Sequence, residues 1–371
     1  MTKFFILILL SVALFMTSCE KDPAIKKDPD TEEDSEVKKN PVLKKASIDL
    51  DGWEISNSNF DFNMVVRDLF FLNSDIGFLV GLSGKIIKTS DAGESWTRLL
   101  SGTGLPLFSV FFLDENNGFV AGRAMSDCLD EDCGKGSILL KTIDGGNTWS
   151  KQFFEEYTGI YSIRFIDELN GLSIIHTPDV PNSRDYFLSK TSDGGISWEF
   201  IDLDIKPHFN TFQTVDNVVF IPGEKQKIFK SIDFGDNWMT LDTPVPAWDD
   251  VRNIYFYDEN LGFFGAGNII YKTVDGGLKW EITNFPFIGF GAFHFYDENQ
   301  GFNILPVTTY EGGDFPTYKG SITYQTFDAG ENWETSDLNN SFLLSITFFP
   351  KRDLGYGFNG RSEFYTIWKK N

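Results

Sequence analysis

The 371-residue sequence is poor in cysteine, histidine and positive charge. Three cysteines exclude a small fold held together by many disulfides. Three histidines leave little for a His-rich metal site. Lys plus Arg number 32 against 54 Asp plus Glu, a formal net charge of −22. Phosphate binding needs a basic face, so no nucleic-acid partner is expected. No glycine-rich loop follows a strand and opens a helix, and no cofactor or resident metal is expected. What the sequence has in quantity is aromatic carbon. Aromatics make up 16% of the residues, with 38 Phe, and hydrophobic residues 41%. That is enough to build a core, which excludes a chain disordered throughout.

The one long hydrophobic run is Phe4 to Met16, broken only by Ser11 and preceded by Lys3. It is short for a bilayer span but suits a signal-peptide core. Met16-Thr17-Ser18-Cys19 follows and resembles the lipobox of bacterial lipoproteins. The resemblance implies a signal peptide over 1–18, cleavage before Cys19 and lipid on that cysteine. Residues 19–46 then read as a disordered tether. From Glu20 to Ala46 there are 8 acids, 7 bases, three prolines and no aromatic, too little apolar surface to offset the entropy of ordering. The expected location is the envelope of a Gram-negative bacterium, lipid-anchored at the outer membrane, with the side left open. The acidic excess lies on 47–371, which favours solubility and repels polyanions. A monomer is expected.

An eight-residue pattern, Ser/Thr-x-Asp-x-Gly-x-x-Trp, recurs six times after the tether. Its aspartates and tryptophans are Asp91 and Trp96, Asp144 and Trp149, Asp193 and Trp198, Asp233 and Trp238, Asp275 and Trp280, and Asp328 and Trp333. The pattern reads as a hairpin turn. The hydroxyl and carboxylate take local backbone N–H groups, Gly supplies the positive φ, and Trp turns into the core. It resembles the Asp-box, or bacterial neuraminidase repeat. Six equivalent turns spread round one structure cannot converge on one reaction centre, so these residues are assigned a structural role and none is assigned to catalysis.

Upstream of most boxes an aromatic strand leads into Asp-Glu-Asn-x-Gly-Phe or a relative of it, as at Asp114 to Phe119, Asp258 to Phe263 and Asp297 to Phe302. Each unit is then four short antiparallel strands, the composition of one propeller blade. Five full units start near Val66, Leu107, Ile160, Val251 and Phe290, and a trimmed one runs from Thr211 to Leu241. A last unit from Leu344 has three strands and no box. Ser47 to Ile55 reads as a decayed box followed by the missing outer strand. The expected fold is all-β: a seven-bladed β-propeller over 47–371 with four-stranded antiparallel blades, closed three-plus-one by an amino-terminal strand. Seven blades give about 46 residues each, near the usual repeat length.

The composite unit, aromatic strand, D-E-N-x-G-F, Gly-rich strand and K-T-x-D-G-G-x-x-W, resembles the repeats of the photosystem II assembly and stability factor family. That resemblance implies a seven-bladed propeller that binds a protein rather than an enzyme. The plant and cyanobacterial members use an arginine patch on the propeller face. Here there are eight arginines. Arg67 and Arg252 hold matching places in first strands, Arg123 and Arg164 lie elsewhere, and the patch is not carried over.

The expected function is therefore a non-catalytic binding or assembly scaffold with a protein or glycan partner. Extra length is concentrated in loops at one rim, Ala124 to Ser137, His176 to Phe187 and Pro306 to Lys319, where recognition usually resides. Candidate contact residues are Tyr186, Tyr310, Phe315 and Tyr318, with Trp248 between units. The alternative is a glycoside hydrolase or glycan-binding protein of the sialidase-like type, but no arginine triad or paired acid and base stands out. Cys128 and Cys133 flank a short acidic stretch and read as a loop-stapling disulfide. Asp127, Asp130, Glu131 and Asp132 do not have EF-hand spacing. His176, His208 and His294 are scattered.

Overall fold

In the computed structural model the described residues are 47–50, 53–58, 64–123, 136–177, 186–203, 212–223, 226–247, 249–285, 291–309, 317–336, 346–351, 354–358 and 364–369. The signal, tether and Cys19, the Cys128–Cys133 pair, and Trp248, Tyr310 and Phe315 lie outside them.

The chain is an all-β propeller with four-stranded antiparallel blades. Among the described residues six sheets have four strands, each in sequence order from inner to outer edge. Their first strands are Val66–Phe71, Leu107–Phe112, Gly159–Phe165, Gln213–Val215, Arg252–Phe256 and Ala292–Phe295, which define blades one to six. First strands pack against one another and so ring the axis. They are also tied together by polar side chains. Asp68 Oδ2 accepts Val110 N–H at 3.0 Å, Ser109 Oγ accepts Ile163 N–H at 3.2 Å, Gln213 Oε1 accepts Phe256 N–H at 2.6 Å, and Tyr255 Oη accepts Phe295 N–H at 3.0 Å. Each bond leads from one blade to the next.

The closing sheet departs from expectation. It has five strands, not four, in the order Ser47–Leu50, Trp53–Ser58, Phe364–Lys369, Leu354–Phe358, Ile346–Lys351. Trp53 pairs with Lys369 and Glu54 with Trp368, so an amino-terminal strand does add to the three carboxyl-terminal ones. However, Ser47 to Leu50 is not a decayed box. It is a strand of its own, hairpinned onto Trp53–Ser58 with Leu50 opposite Trp53. Its backbone groups find their partners in that ladder. Seven equal four-stranded blades are therefore not what the structure contains. This five-stranded sheet is the composite sheet.

Packing between blades explains the Gly-Phe dipeptide. The second-strand ring of one blade lies flat on the last ring of the next blade's first strand: Phe78 on Phe112 at 3.6 Å, Phe119 on Phe165 at 3.6 Å, Phe220 on Phe256 at 3.5 Å and Phe263 on Phe295 at 4.6 Å. That lower ring meets its own blade's box tryptophan edge-on, Trp149, Trp198, Trp280 and Trp333 at 6.0–6.2 Å. The preceding glycine makes room. A Cβ on Gly77 or Gly171 would come within 2.6 Å of the Phe71 or Phe165 ring of the same blade. Fully buried rings of this size each remove roughly 150–250 Å² from water, so these stacks dominate the core. The composite sheet joins blade one in the same way, with Tyr356 stacked on Phe71 at 5.1 Å and Trp96 edge-on to Phe71 at 6.3 Å.

Candidate functional site: the loop rim and its arginine cluster

The two rims are distinguished by hydrogen bonds. In every Asp-box blade a backbone N–H of the box bonds a carbonyl of the turn between strands one and two. The pairs are Ala92 to Asp75, Gly145 to Asn116, Gly194 to Leu169, Phe234 to Asn217, Gly276 to Asn260 and Ala329 to Asn299, at 2.8–2.9 Å. Both kinds of turn therefore share one rim, the turn rim. The loops between strands two and three, and those between blades, occupy the other, the loop rim.

The box aspartates behave as turn chemistry throughout. In blade two the Thr142 hydroxyl donates to Asp144 Oδ1 at 2.8 Å and accepts Gly146 N–H at 2.9 Å, while Asp144 Oδ1 accepts Thr148 N–H at 2.9 Å. The same bonds recur about Asp91, Asp193, Asp233, Asp275 and Asp328. Bonds from the Thr148 side chain and N–H hold Asp144 at about 2, and those from Asn237 hold Asp233 at about 2. For Asp193, burial acts upward but the Ser197 and Thr191 bonds outweigh it, again to about 2. Such carboxylates are fixed anions with their oxygens occupied, poor general acids or bases. The indoles of Trp96, Trp238 and Trp333 donate to the carbonyl of their own box glycine.

On the loop rim the structure brings together residues that the sequence scatters. Arg67 and Phe108 sit near the starts of the first strands of blades one and two, Arg123 ends the second strand of blade two, and Tyr161 opens blade three. Phe108 carries two guanidinium groups, Arg67 and Arg123 both 5.4 Å from its centroid. Arg123 Nη1 donates to Tyr161 Oη at 3.0 Å and lies 6.0 Å from that ring. Phe108 meets Tyr161 at 5.4 Å. Behind them Tyr161 packs edge-on to Tyr186, and Tyr186 against His176. Arg67, Phe108 and Arg123 are half-buried. The rings orient the guanidinium planes while leaving the charge in place, an arrangement suited to carboxylate acceptors.

Two sequence readings change here. Tyr186 is 8% exposed, held between Tyr161 and His176, and supports the cluster rather than presenting its ring. The arginines, not carried over as a patch, do converge for Arg67 and Arg123. Arg164 does not join them. It lies over Phe111 at 5.8 Å and bonds the Ile163 carbonyl. Burial pushes Arg164 down and Asp68 up, each partly offset by the other's charge. Arg252 lies in another sector, 3.9 Å from Asp250. Tyr318 stands in a third strand opposite Thr308. Among the described residues no group of three or more His, Cys, Asp or Glu is placed to hold a metal, and no helix is long and apolar enough to cross a membrane.

The family described as photosynthesis system II assembly factor YCF48 matches residues 45–159. Over that stretch the chain is similar to photosystem II assembly factors, and its propeller is similar to theirs. A structure of YCF48 bound to D1 peptide superposes with a TM-score of 0.62 at 15% identity, over 88% of this chain and 100% of that one. YCF48 from Cyanidioschyzon merolae gives 0.60 at 14%, over 85% and 99%. A Niastella koreensis GH74 enzyme gives 0.61 at 13%, over 84% of this chain but 53% of that one. At these identities the likeness is one of fold. No curated protein matches the chain in sequence.

Proposed function

We propose that the protein is a non-catalytic binding scaffold of the cell envelope that docks an acidic segment of a protein partner on the loop rim. The observation that carries this reading is the convergence of Arg67 and Arg123 on Phe108, beside Tyr161. A pair of oriented guanidinium groups on a chain of net charge −22 stands out from its surroundings and steers a carboxylate to one sector. The D1 peptide on the similar YCF48 propeller supports a protein as the kind of partner. In this reading the composite sheet is a seventh blade with one strand added outside it. Residues 1–18 are removed, Cys19 carries lipid, and 20–46 set the distance from the membrane.

The test is crosslinked capture from the native envelope by full-length protein and by the Arg67→Glu/Arg123→Glu variant. The captured partner falls about tenfold or more, as expected for reversed charge at a docking rim, while circular dichroism stays unchanged. Equal capture by the two proteins rejects the rim. The anchor is checked separately. Fatty-acid label on the wild type and none on Cys19→Ala is expected; label on both removes Cys19 from the account.

A glycan-directed role is the second reading, favoured by the similarity to a GH74 enzyme, although the chain spans about half that enzyme's length. Here Asp250 is engaged by Arg252 and Asp249 Oδ1 accepts the Asp250 N–H. Release of reducing sugar from an envelope or plant polysaccharide by pure protein would establish it over the scaffold.

A further inference from the structure

The arginine cluster is presented by β-bulges. In blade one the pairing of the first two strands passes from Val66 opposite Gly81 to Asp68 opposite Val80, which leaves Arg67 as the extra residue. In blade two it passes from Leu107 opposite Gly122 to Ser109 opposite Ala121, leaving Phe108. In blade three it passes from Ile160 opposite Ile175 to Ser162 opposite Ile174, leaving Tyr161. An extra residue of this kind bends its strand and re-aims a side chain. The three residues set aside are the first-strand members of the cluster. Among the described residues the first strands of blades four and six pair without such a shift, and blade five passes over two residues, Asn253 and Ile254. Glycine opposite the start of the bulge lets the chain come close. A Cβ on Gly81 would lie 2.1 Å from the Val65 carbonyl oxygen, and one on Gly122 would lie 2.2 Å from that of Pro106.

The residue after each of the first two bulges is a polar acceptor. Asp68 follows Arg67. Its Oδ1 accepts Leu69 N–H at 2.9 Å, and its Oδ2 accepts Val110 N–H at 3.0 Å, two residues past Phe108. Ser109 follows Phe108. Its Oγ accepts Ile163 N–H at 3.2 Å, two residues past Tyr161. Each bulge is thus tied to the bulge of the next blade by a bond of the same design. Ser109 is buried, so water does not replace a bond lost there. Burial pushes the Asp68 carboxyl up. The Arg164 charge from blade three opposes this first, followed by the Val110 and Leu69 N–H groups and the Ser109 hydroxyl. Groups from all three blades therefore act on one carboxylate.

We propose that Asp68 and Ser109 are positioning residues for the arginine cluster. By tying three successive bulges together they hold Arg67, Phe108 and Tyr161 in one sector of the loop rim, with Arg123 carried by the last two. Neither residue needs to touch a ligand. The bulges set the side chains out, and the two bonds fix the offset of one first strand against the next, which is how a supporting layer keeps a site in shape. Their part in docking rests on the function proposed above; their hold on the cluster does not.

Arginine labelling of the full-length protein with phenylglyoxal, followed residue by residue by mass spectrometry, reads the cluster without a partner. A guanidinium held on a ring reacts slowly, and one released from it reacts faster. Ser109→Thr and Ser109→Val add the same bulk and differ in the hydroxyl, so any packing cost is common to both. The valine protein labels Arg123 about fivefold faster than the threonine protein, the factor for one hydrogen bond, and Arg252 in blade five reacts equally in the two. Asp68→Asn keeps the shape but gives up one acceptor, and it speeds labelling of both Arg67 and Arg123 by a similar factor. Equal labelling of Arg123 in the threonine and valine proteins overturns the proposal, as does an Asp68→Asn protein whose Arg67 reacts like that of the wild type. Capture from the native envelope is measured on the same variants. Capture that falls as labelling rises joins the two residues to docking. Faster labelling with full capture upholds their hold on the cluster and rejects the loop rim as the docking surface.

Discussion

The turn rim and the loop rim of this propeller are built by opposite means. On the turn rim six boxes repeat the same bonds from the same residue types, and each box is complete within eight residues. On the loop rim the described residues show no such repeat. Arg67, Phe108, Arg123 and Tyr161 come from three blades and meet only once. A rim that repeats is explained by what every blade needs in order to fold. A rim where one sector differs calls for a local reason, and charge held on an aromatic support in an acidic protein supplies one.

The contrast can be broken or sharpened by substitution. The largest effect is expected in neither rim but between blades. Phe119→Ala removes a fully buried ring stacked on Phe165 and costs about 4 kcal/mol in urea unfolding. A loss below about 1 kcal/mol would mean that the stacks do not carry the core. On the turn rim, Thr142→Val leaves the N–H groups of Gly146 and Asp144 without their buried acceptor. The expected cost is about 2 kcal/mol by the same assay, with no change in partner capture. On the loop rim the opposite split is expected. Arg123→Gln gives up a guanidinium contact, lowers capture severalfold and shifts stability by no more than about 1 kcal/mol. A variant that unfolds without losing capture would erase the distinction between the rims.

The smallest effect is with pH. Asp144 and Asp233 sit at about 2 in the fold, below the ordinary 3.8. Folding therefore favours their ionised form. That contribution is fully present above about pH 4 and is lost as pH falls from about 4 toward 2. The melting temperature drops through this window, and Asp233→Asn flattens part of the drop. A melting temperature constant from pH 4 to pH 2 contradicts the bonding seen in the boxes.

Legibility in the sequence followed the range of the interactions. The boxes were readable because Thr142, Asp144, Gly146 and Thr148 act on one another across a few residues. The Gly-Phe dipeptide was readable as a pattern but not as a cause, since Phe119 meets Phe165 of the next blade. The arginine cluster is not readable from the residues themselves; only the family resemblance points to arginines on a propeller face. Arg67 and Arg123 are brought together by sheet packing, and no local spacing records it. The sequence places Tyr186 in a loop, whereas it begins a strand and packs against Tyr161. At the amino end, Ser47 to Trp53 matches box letters closely enough to hide a four-residue strand, too short for its periodicity to be decisive.

The tryptophans give the molecule a built-in optical report. Trp96, Trp149, Trp198, Trp280 and Trp333 each stand edge-on to a phenylalanine at 6.0–6.3 Å, all at junctions between sheets. Their emission should share nearly one colour in the native protein, and each shifts to the red only when its own junction parts. Trp96 is the informative member, because it also faces Tyr356 of the composite sheet at 6.1 Å. A chain keeping that indole as its sole fluorophore would watch the ring's closure alone.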